Sequence, residues 1–194
     1  MIITTIQPQE VYNICKEKPF YTDITRSEYY DWKEFIEAYN WLSSVMKTKI
    51  KKPFQAQYPI WGWYRYNGKY KLDLRQHTHL YPPNYYAITL DIPDDQVLLS
   101  DYESWHAVLN KFVLHDLDDE ENFDKNDDYY DKLKESDPNK YNEIMVQSWY
   151  HIFDLKPNVF SSGTEIQATF WKIDPKWIIK AKKFGSMKES KNDD

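Results

Sequence analysis

VLLSDYESWHAVLN, from Val97 to Asn110, joins the end of a predicted strand to the start of a predicted helix. Ser100 and Glu103 have the spacing of a capping box, in which the two side chains satisfy backbone N–H groups of the first helical turn. His106 and Asn110, four residues apart, border the apolar face of this helix. That face comprises Tyr102, Trp105, Leu109, Phe112 and Val113. The segment therefore predicts a strand-to-helix junction with polar groups at the edge of a core.

Outward from this junction, hydrophobic periodicity predicts further strands and helices. Asn67-Gly68 favours a tight turn, and so predicts a β-hairpin. Strands are predicted at Ile2–Ile6, Tyr58–Tyr66, Lys69–Arg75, Tyr86–Ile92, Gln96–Leu99 and Thr164–Ile173. Helices are predicted at Gln9–Lys18, Trp32–Lys47, Tyr141–Phe153 and from Asp174-Pro175 to near Gly185. We expect an α+β fold: one domain over residues 1–185, with a mixed or antiparallel sheet and flanking helices, and a polar tail over residues 186–194.

Composition limits the possible functions. The chain has 194 residues, of which 41% are hydrophobic and 18% aromatic, enough for one well-buried domain. Its net charge of −6 argues against a general nucleic-acid binder. Cys15 is the only cysteine, so no internal disulfide can form. Without a recognisable signal peptide or an apolar run of membrane-spanning length, we expect a cytoplasmic protein with no membrane contact.

Asp116 to Asp131 holds nine acidic residues with only Lys125 as a counter-charge. Self-repulsion predicts a solvated loop here, followed by a short helix. Such a segment suits contact with a basic protein surface. One hypothesis is therefore a non-enzymatic interaction protein, acting in defence or anti-defence between phage and host.

An aromatic pattern suggests a ligand site instead. Trp61, Trp63 and Arg65 alternate along one predicted strand, so they are expected to share a face, which would suit ring stacking beside a phosphate or carboxylate. The same pattern is typical of the core face of a sheet. His106 beside Asn110 suits proton transfer, although a histidine at a core edge is often purely structural. His77-x-His79 lacks an identifiable third ligand, so no metal is expected.

Several segments together resemble a bacterial family of unknown function, over roughly residues 1 to 185. They are TIQ (Thr5–Gln7), YPIWGWY (Tyr58–Tyr64), LDLR (Leu72–Arg75), VLLSDYESWHAVLN and QATFW (Gln167–Trp171). This resemblance implies no particular activity.

The order of motifs also resembles the ADP-ribosyltransferase-like fold. That resemblance implies an N-terminal strand that contacts NAD, here with Thr5 and Gln7, and a middle strand with ring contacts, here with Trp61 and Trp63. It also implies a late strand with a catalytic acid, here either Glu165 or Gln167. If Gln167 holds that position, the usual carboxylate is missing.

These features lead to a hypothesis of NAD binding in a shared cleft. Trp61 and Trp63 would stack a ring, Arg75 would hold a phosphate, and Gln167 or Glu165 would orient the ribose. His106 is a further catalytic candidate, and Asn110 a further cofactor contact. Two alternatives are left open: an NAD-binding protein with ADP-ribosyltransferase-like activity, such as a toxin, and a non-enzymatic interaction protein.

Overall fold

The computed structural model describes residues 1–22, 33–74, 81, 84–114 and 122–184. In this part of the chain there are five α-helices and six strands. The helices are α1 (Gln9–Cys15), α2 (Lys33–Lys49), α3 (Tyr102–Leu109), α4 (Phe123–Ser136) and α5 (Pro138–Ser148). The strands are β1 (Ile2–Pro8), β2 (Ile60–Arg65), β3 (Tyr85–Asp91), β4 (Leu98–Asp101), β5 (Ile166–Phe170) and β6 (Ile178–Phe184).

The six strands form one sheet in the order β4-β5-β2-β1-β3-β6, and every neighbouring pair is antiparallel. The α+β prediction is confirmed, with an antiparallel sheet. β3 shows the expected alternation, because Ile88 and Leu90 are fully buried on one face while Thr89 between them lies on the other. The tail over residues 186–194 lies outside the described residues.

The two faces of the sheet bury different cores. One core joins α2, α3 and α5 to the β4-β5-β2 half of the sheet, and Trp149 at its centre is fully buried. Its indole N–H donates to the Phe112 carbonyl at 3.1 Å, which satisfies the polar end of the side chain. The other core packs α1 against Ile3, Ile88 and Phe170. Residues that alternate along a strand therefore face different surroundings.

The predicted hairpin forms only its turn. Asn67 and Gly68 adopt positive φ angles of 48° and 70°, and Tyr66 exchanges two backbone hydrogen bonds with Lys69. Residues 69–74 then form no strand, so the prediction of a return strand is wrong over this range. The physical reason is that both edges of β2 are taken by sequence-distant strands, β1 and β5.

The chain end also differs from its prediction. Pro175–Trp177 is a single 3-10 turn, and the strand β6 follows where a helix was predicted. β6 pairs with the open side of β3, so backbone hydrogen bonds to an available sheet edge outweigh the weak helical pattern. Lys180, Lys182 and Lys183 make this edge strand highly charged, which is typical of strands that must not pair with another chain.

The acidic segment is more ordered than predicted over its described part. α4 covers Phe123–Ser136, and Tyr130 and Leu133 on one side of it pack against the core. This packing holds the helix despite its acidic outer surface, on which Asp124, Asp127, Asp128 and Asp131 are exposed. In the part of the chain that the structure describes, no helix combines the length and apolarity required to cross a membrane.

Candidate functional site

The junction between β4 and α3 is organised by Asp101. Its carboxylate is fully buried, and Oδ1 accepts the Ser104 backbone N–H at 2.8 Å as the N-cap of α3. Oδ2 accepts the Ser161 hydroxyl at 2.5 Å. The capping-box prediction was therefore wrong by one residue, because Ser100 is still a strand residue and the stronger acceptor beside it caps the helix.

Glu103, free of any capping role, holds the loop before β5. It accepts the Ser162 backbone N–H at 2.7 Å and the Ser162 hydroxyl at 3.0 Å, and at 2.9 Å it shares with Asp101 the single proton of the Ser161 hydroxyl. Burial opposes ionisation of this carboxyl, but these hydrogen bonds outweigh it and hold the pKa of Glu103 below its usual value. Glu103 is therefore ionised at neutral pH.

Glu165, which directly precedes β5, has the opposite perturbation. Burial raises the pKa of its carboxyl, and the negative charges of Glu103 and Asp101 raise it further, while His106 partly offsets them. Two neighbouring carboxyls whose pKa values move apart are typical of acid–base sites. Sequence reasoning nominated Glu165 and His106 but missed Glu103, because its partners Ser161 and Ser162 lie about 60 residues further along the chain.

The perturbed carboxyl leads to a stability prediction. The pKa of Glu165 is higher in the folded protein than in the unfolded chain, so the charged carboxylate opposes folding. The free energy of unfolding therefore falls as the pH rises from the unfolded-state pKa through the folded-state pKa. We expect Glu165→Gln to raise the melting temperature by about 1 to 3 °C at pH 7, with the difference vanishing below the ordinary pKa of 4.5. Thermal melts from pH 3 to pH 8 measure this, with Glu143→Gln on the exposed side of α5 as the matched control. A variant less stable than the wild type at pH 7 would contradict the charge assignment.

A line of directly paired residues crosses the whole sheet on the α2/α3 face. Each member is the registered partner of the next, so all six side chains share one face. This cross-strand row comprises Ser100, Gln167, Trp63, Thr4, Thr89 and Lys180. It links the candidate residues Gln167 and Trp63 to residues that sequence reasoning did not select.

Aromatic rings surround the row at Trp63. Its ring lies 4.9 Å from Tyr66 and 5.0 Å from Tyr102, measured between centroids. The Tyr102 ring in turn makes an edge contact with the ring of the exposed His106, with 4.4 Å between the two centroids. The Tyr102 backbone N–H donates to the Glu165 carbonyl at 2.9 Å, and burial and the charge of Glu165 raise the pKa of both tyrosines. The structure thus brings together Trp63, His106, Glu165 and Gln167.

Three polar atoms on this face are buried without a hydrogen-bond partner in the described part of the chain. They are the Trp61 Nε1, the Gln167 Oε1 and the Ser100 Oγ. Buried polar atoms are normally paired, so such a group indicates bound water or a ligand. Trp61 and Trp63 are half-buried rather than sealed in the core.

A cavity of about 610 Å³ lies further along the same face. Thr4, which is directly across from Trp63, forms part of its wall. The remaining wall residues come from β3, β6 and the segment after the Asn67-Gly68 turn. The aromatic cluster and the cavity are therefore neighbours on one surface of the sheet.

Other predicted residues lie elsewhere. Thr5 and Gln7 are on the opposite face from Trp63, where the Gln7 amide donates to the Thr5 hydroxyl, which donates to the Trp61 carbonyl. Asn110 ends α3, and its side chain donates to the His106 carbonyl at 2.7 Å. Arg75 lies outside the described residues.

Arg65 does not share a face with the two tryptophans. A register shift between Trp63 and Arg65 puts Arg65 opposite Ile166, one residue from the Gln167 that pairs with Trp63. Its guanidinium donates to the Gly163 carbonyl at 2.6 Å. The prediction of a Trp-Trp-Arg face was wrong because a bulge interrupts the alternation of β2.

Metal binding has no support in the described ranges. Within them, no group of three or more histidine, cysteine, aspartate or glutamate side chains is arranged to hold an ion. His77 and His79 fall outside those ranges.

Comparison with known protein families assigns the chain. A family model described as a domain of unknown function, DUF3841, matches residues 2–179. The chain belongs to this family. The predicted membership of a family of unknown function is thereby confirmed. No curated protein and no solved structure matched the DUF3841 chain.

Proposed function

We propose that this DUF3841 protein binds a nucleotide such as NAD along the cross-strand row and has ADP-ribosyltransferase-like chemistry. The observation that carries the proposal is the adjacency of β1, β2 and β5, the N-terminal, middle and late strands named by the resemblance. Thr4, Trp63 and Gln167 consequently stand side by side on one face. Thr4 replaces Thr5 and Gln7 as the contact from the first strand.

The residues present fit a planar ring that carries an amide. Trp63 offers an aromatic face for stacking. The unpartnered Trp61 Nε1 and Gln167 Oε1 are a donor and an acceptor on the same surface, which is what a carboxamide requires. Binding such a group would satisfy atoms that are otherwise buried without partners.

The two carboxyls have complementary roles in this proposal. NAD would supply the ADP-ribosyl group: the bond between the ribose C1′ and the nicotinamide nitrogen breaks, and an acceptor nucleophile bonds to C1′ in its place. Glu165 takes the proton that the nucleophile loses, since a raised pKa makes a carboxylate a better base. Glu103 stays ionised and favours positive charge developing on the ribose.

The test is a titration with NAD followed by thermal stability and nicotinamide release. A ligand that binds only the folded state stabilises it by about 2.7 kcal/mol at 100 times its Kd. We expect a saturable rise in melting temperature that Trp63→Leu removes, and nicotinamide release that Glu165→Gln lowers by at least a hundredfold. Glu143→Gln, exposed on α5, should match the wild type. The absence of any shift at millimolar NAD would refute nucleotide binding.

Capture of a basic partner through Asp116–Asp131 remains the alternative prediction, together with a role in phage–host conflict. Its described part is the exposed acidic surface of α4. This alternative predicts partner binding that weakens with salt and with neutralisation of Asp124, Asp127 and Asp128, changes that leave NAD binding unaltered.

A further inference from the structure

The cavity beside Thr4 is formed by two separate parts of the chain. One wall is the sheet, with Thr4 from β1, Ala87 and Thr89 from β3, and Lys180 and Lys182 from β6. The facing wall is the segment 69–74, with Lys69 and Lys71 next to the buried Leu72. Residues more than 100 positions apart in sequence thus converge on one pocket that is open to solvent on one side and whose four lysines are exposed.

The charge of this cavity opposes that of the protein. Four lysines and Asp73 line it, a formal charge of +3 in a chain with a net charge of −6. Among the described residues, no carboxylate forms an ion pair with any of the four lysines. Their positive charges face the cavity without neutralising partners in this part of the chain, which favours an anion there.

Protection of the sheet edge accounts for only part of the pattern. A lysine on either face of β6 would discourage another chain from pairing with this edge. Lys183, on the face opposite to Lys180 and Lys182, serves that role equally well. Edge protection does not explain Lys69 and Lys71, which line the same cavity but come from the segment 69–74, outside the sheet. Lys180 and Lys182 also share one face about 6 to 7 Å apart, a spacing suited to neighbouring anionic groups.

We propose that this lysine cavity binds a small molecule carrying two or more adjacent phosphate groups. Its volume of about 610 Å³ lies within the range of roughly 300 to 1,000 Å³ typical of small-ligand sites. The ammonium groups provide charge-assisted donors, and the Thr4 and Thr89 hydroxyls add neutral donors on the floor. The inference stands on the cavity alone and does not depend on NAD binding.

Inorganic tripolyphosphate is the probe, titrated calorimetrically at constant ionic strength. We expect saturable binding that the double variant Lys180→Gln/Lys182→Gln weakens at least tenfold. Lys69→Gln/Lys71→Gln, altered on the facing wall and outside any strand, should weaken it to a similar degree. Lys183→Gln removes one positive charge from the same strand on the opposite face, as Lys180→Gln does on the cavity face, so it should retain most of the affinity while Lys180→Gln alone weakens binding.

The outcomes separate a built site from general charge attraction. Failure of the wild type to bind tripolyphosphate overturns the proposal, and so does equal weakening by Lys183→Gln and by Lys180→Gln. Thermal melts without ligand verify that each variant is folded, and the two double variants, on different walls, guard against a local distortion. Tripolyphosphate binding without NAD binding would support the lysine cavity as a phosphate site and refute the proposed NAD-binding function.

Discussion

Replacing Asp101 by alanine is expected to lower the free energy of unfolding by about 2 to 5 kcal/mol. The variant loses the N-cap of α3, which typically contributes about 0.5 to 2 kcal/mol. It also loses the hydrogen bond from Ser161 to a fully buried carboxylate, and bonds to charged groups contribute about 1.5 to 3 kcal/mol. Urea denaturation monitored by circular dichroism measures the difference.

Asp101→Asn is the matched comparison. It keeps an oxygen that can accept the Ser104 N–H at the start of α3 but removes the charge, so about half of the loss is expected. If Asp101→Ala stays within about 0.5 kcal/mol of the wild type, the junction between β4 and α3 does not depend on this side chain.

Replacing Gly62 by alanine is expected to cost about 1 to 3 kcal/mol through overpacking. A Cβ at this position would lie 2.5 Å from the Ile3 Cγ2, 3.3 Å from the Thr4 carbonyl oxygen and 3.4 Å from the Phe170 Cε1. Ile3 and Phe170 are fully buried and cannot move aside easily. Because Gly62 lies between Trp61 and Trp63, the variant should also weaken any binding at the cross-strand row.

A double-mutant cycle with Ile3→Ala tests the cause. The added methyl group should cost less once the Ile3 Cγ2 is absent, which gives a coupling energy of about 0.5 to 2 kcal/mol. Gly68→Ala is the control for glycine replacement, since it has a φ of 70° and no atom within 4 Å of the new Cβ, and should show only the cost of that conformation. Additive effects of Gly62→Ala and Ile3→Ala would rule out the clash.

The local sequence pattern was sufficient to predict an element where its buried residues recur at one regular spacing. The alternation at Ile88 and Leu90 predicted β3, and the spacing of Leu42, Val45 and Met46 predicted α2. Each of these elements buries one regular face, so its hydrophobic periodicity can be recognised from neighbouring residues in the sequence.

Prediction failed where a distant segment decides the structure. The segment after Gly68 reads as a return strand, but β2 is already paired on both sides. Ile178 begins a strand because β3 offers an open edge, which no local pattern reveals. At the candidate site, Glu165 and Gln167 were nominated by the resemblance, which implies a catalytic acid on a late strand. Glu103 and Lys180 gain their roles only through partners far along the chain.

The indole N–H signals of the eight tryptophans, followed by NMR during a titration with NAD, test most directly whether the cross-strand row is the ligand site. Trp63→Phe assigns the signal of Trp63. The buried Trp149 and Trp171 are internal references, because their indole N–H groups already donate to the Phe112 and Ile50 carbonyls. The account predicts a saturable shift of the Trp63 signal, with those of Trp149 and Trp171 unchanged. An unmoved Trp63 signal at millimolar NAD would contradict it.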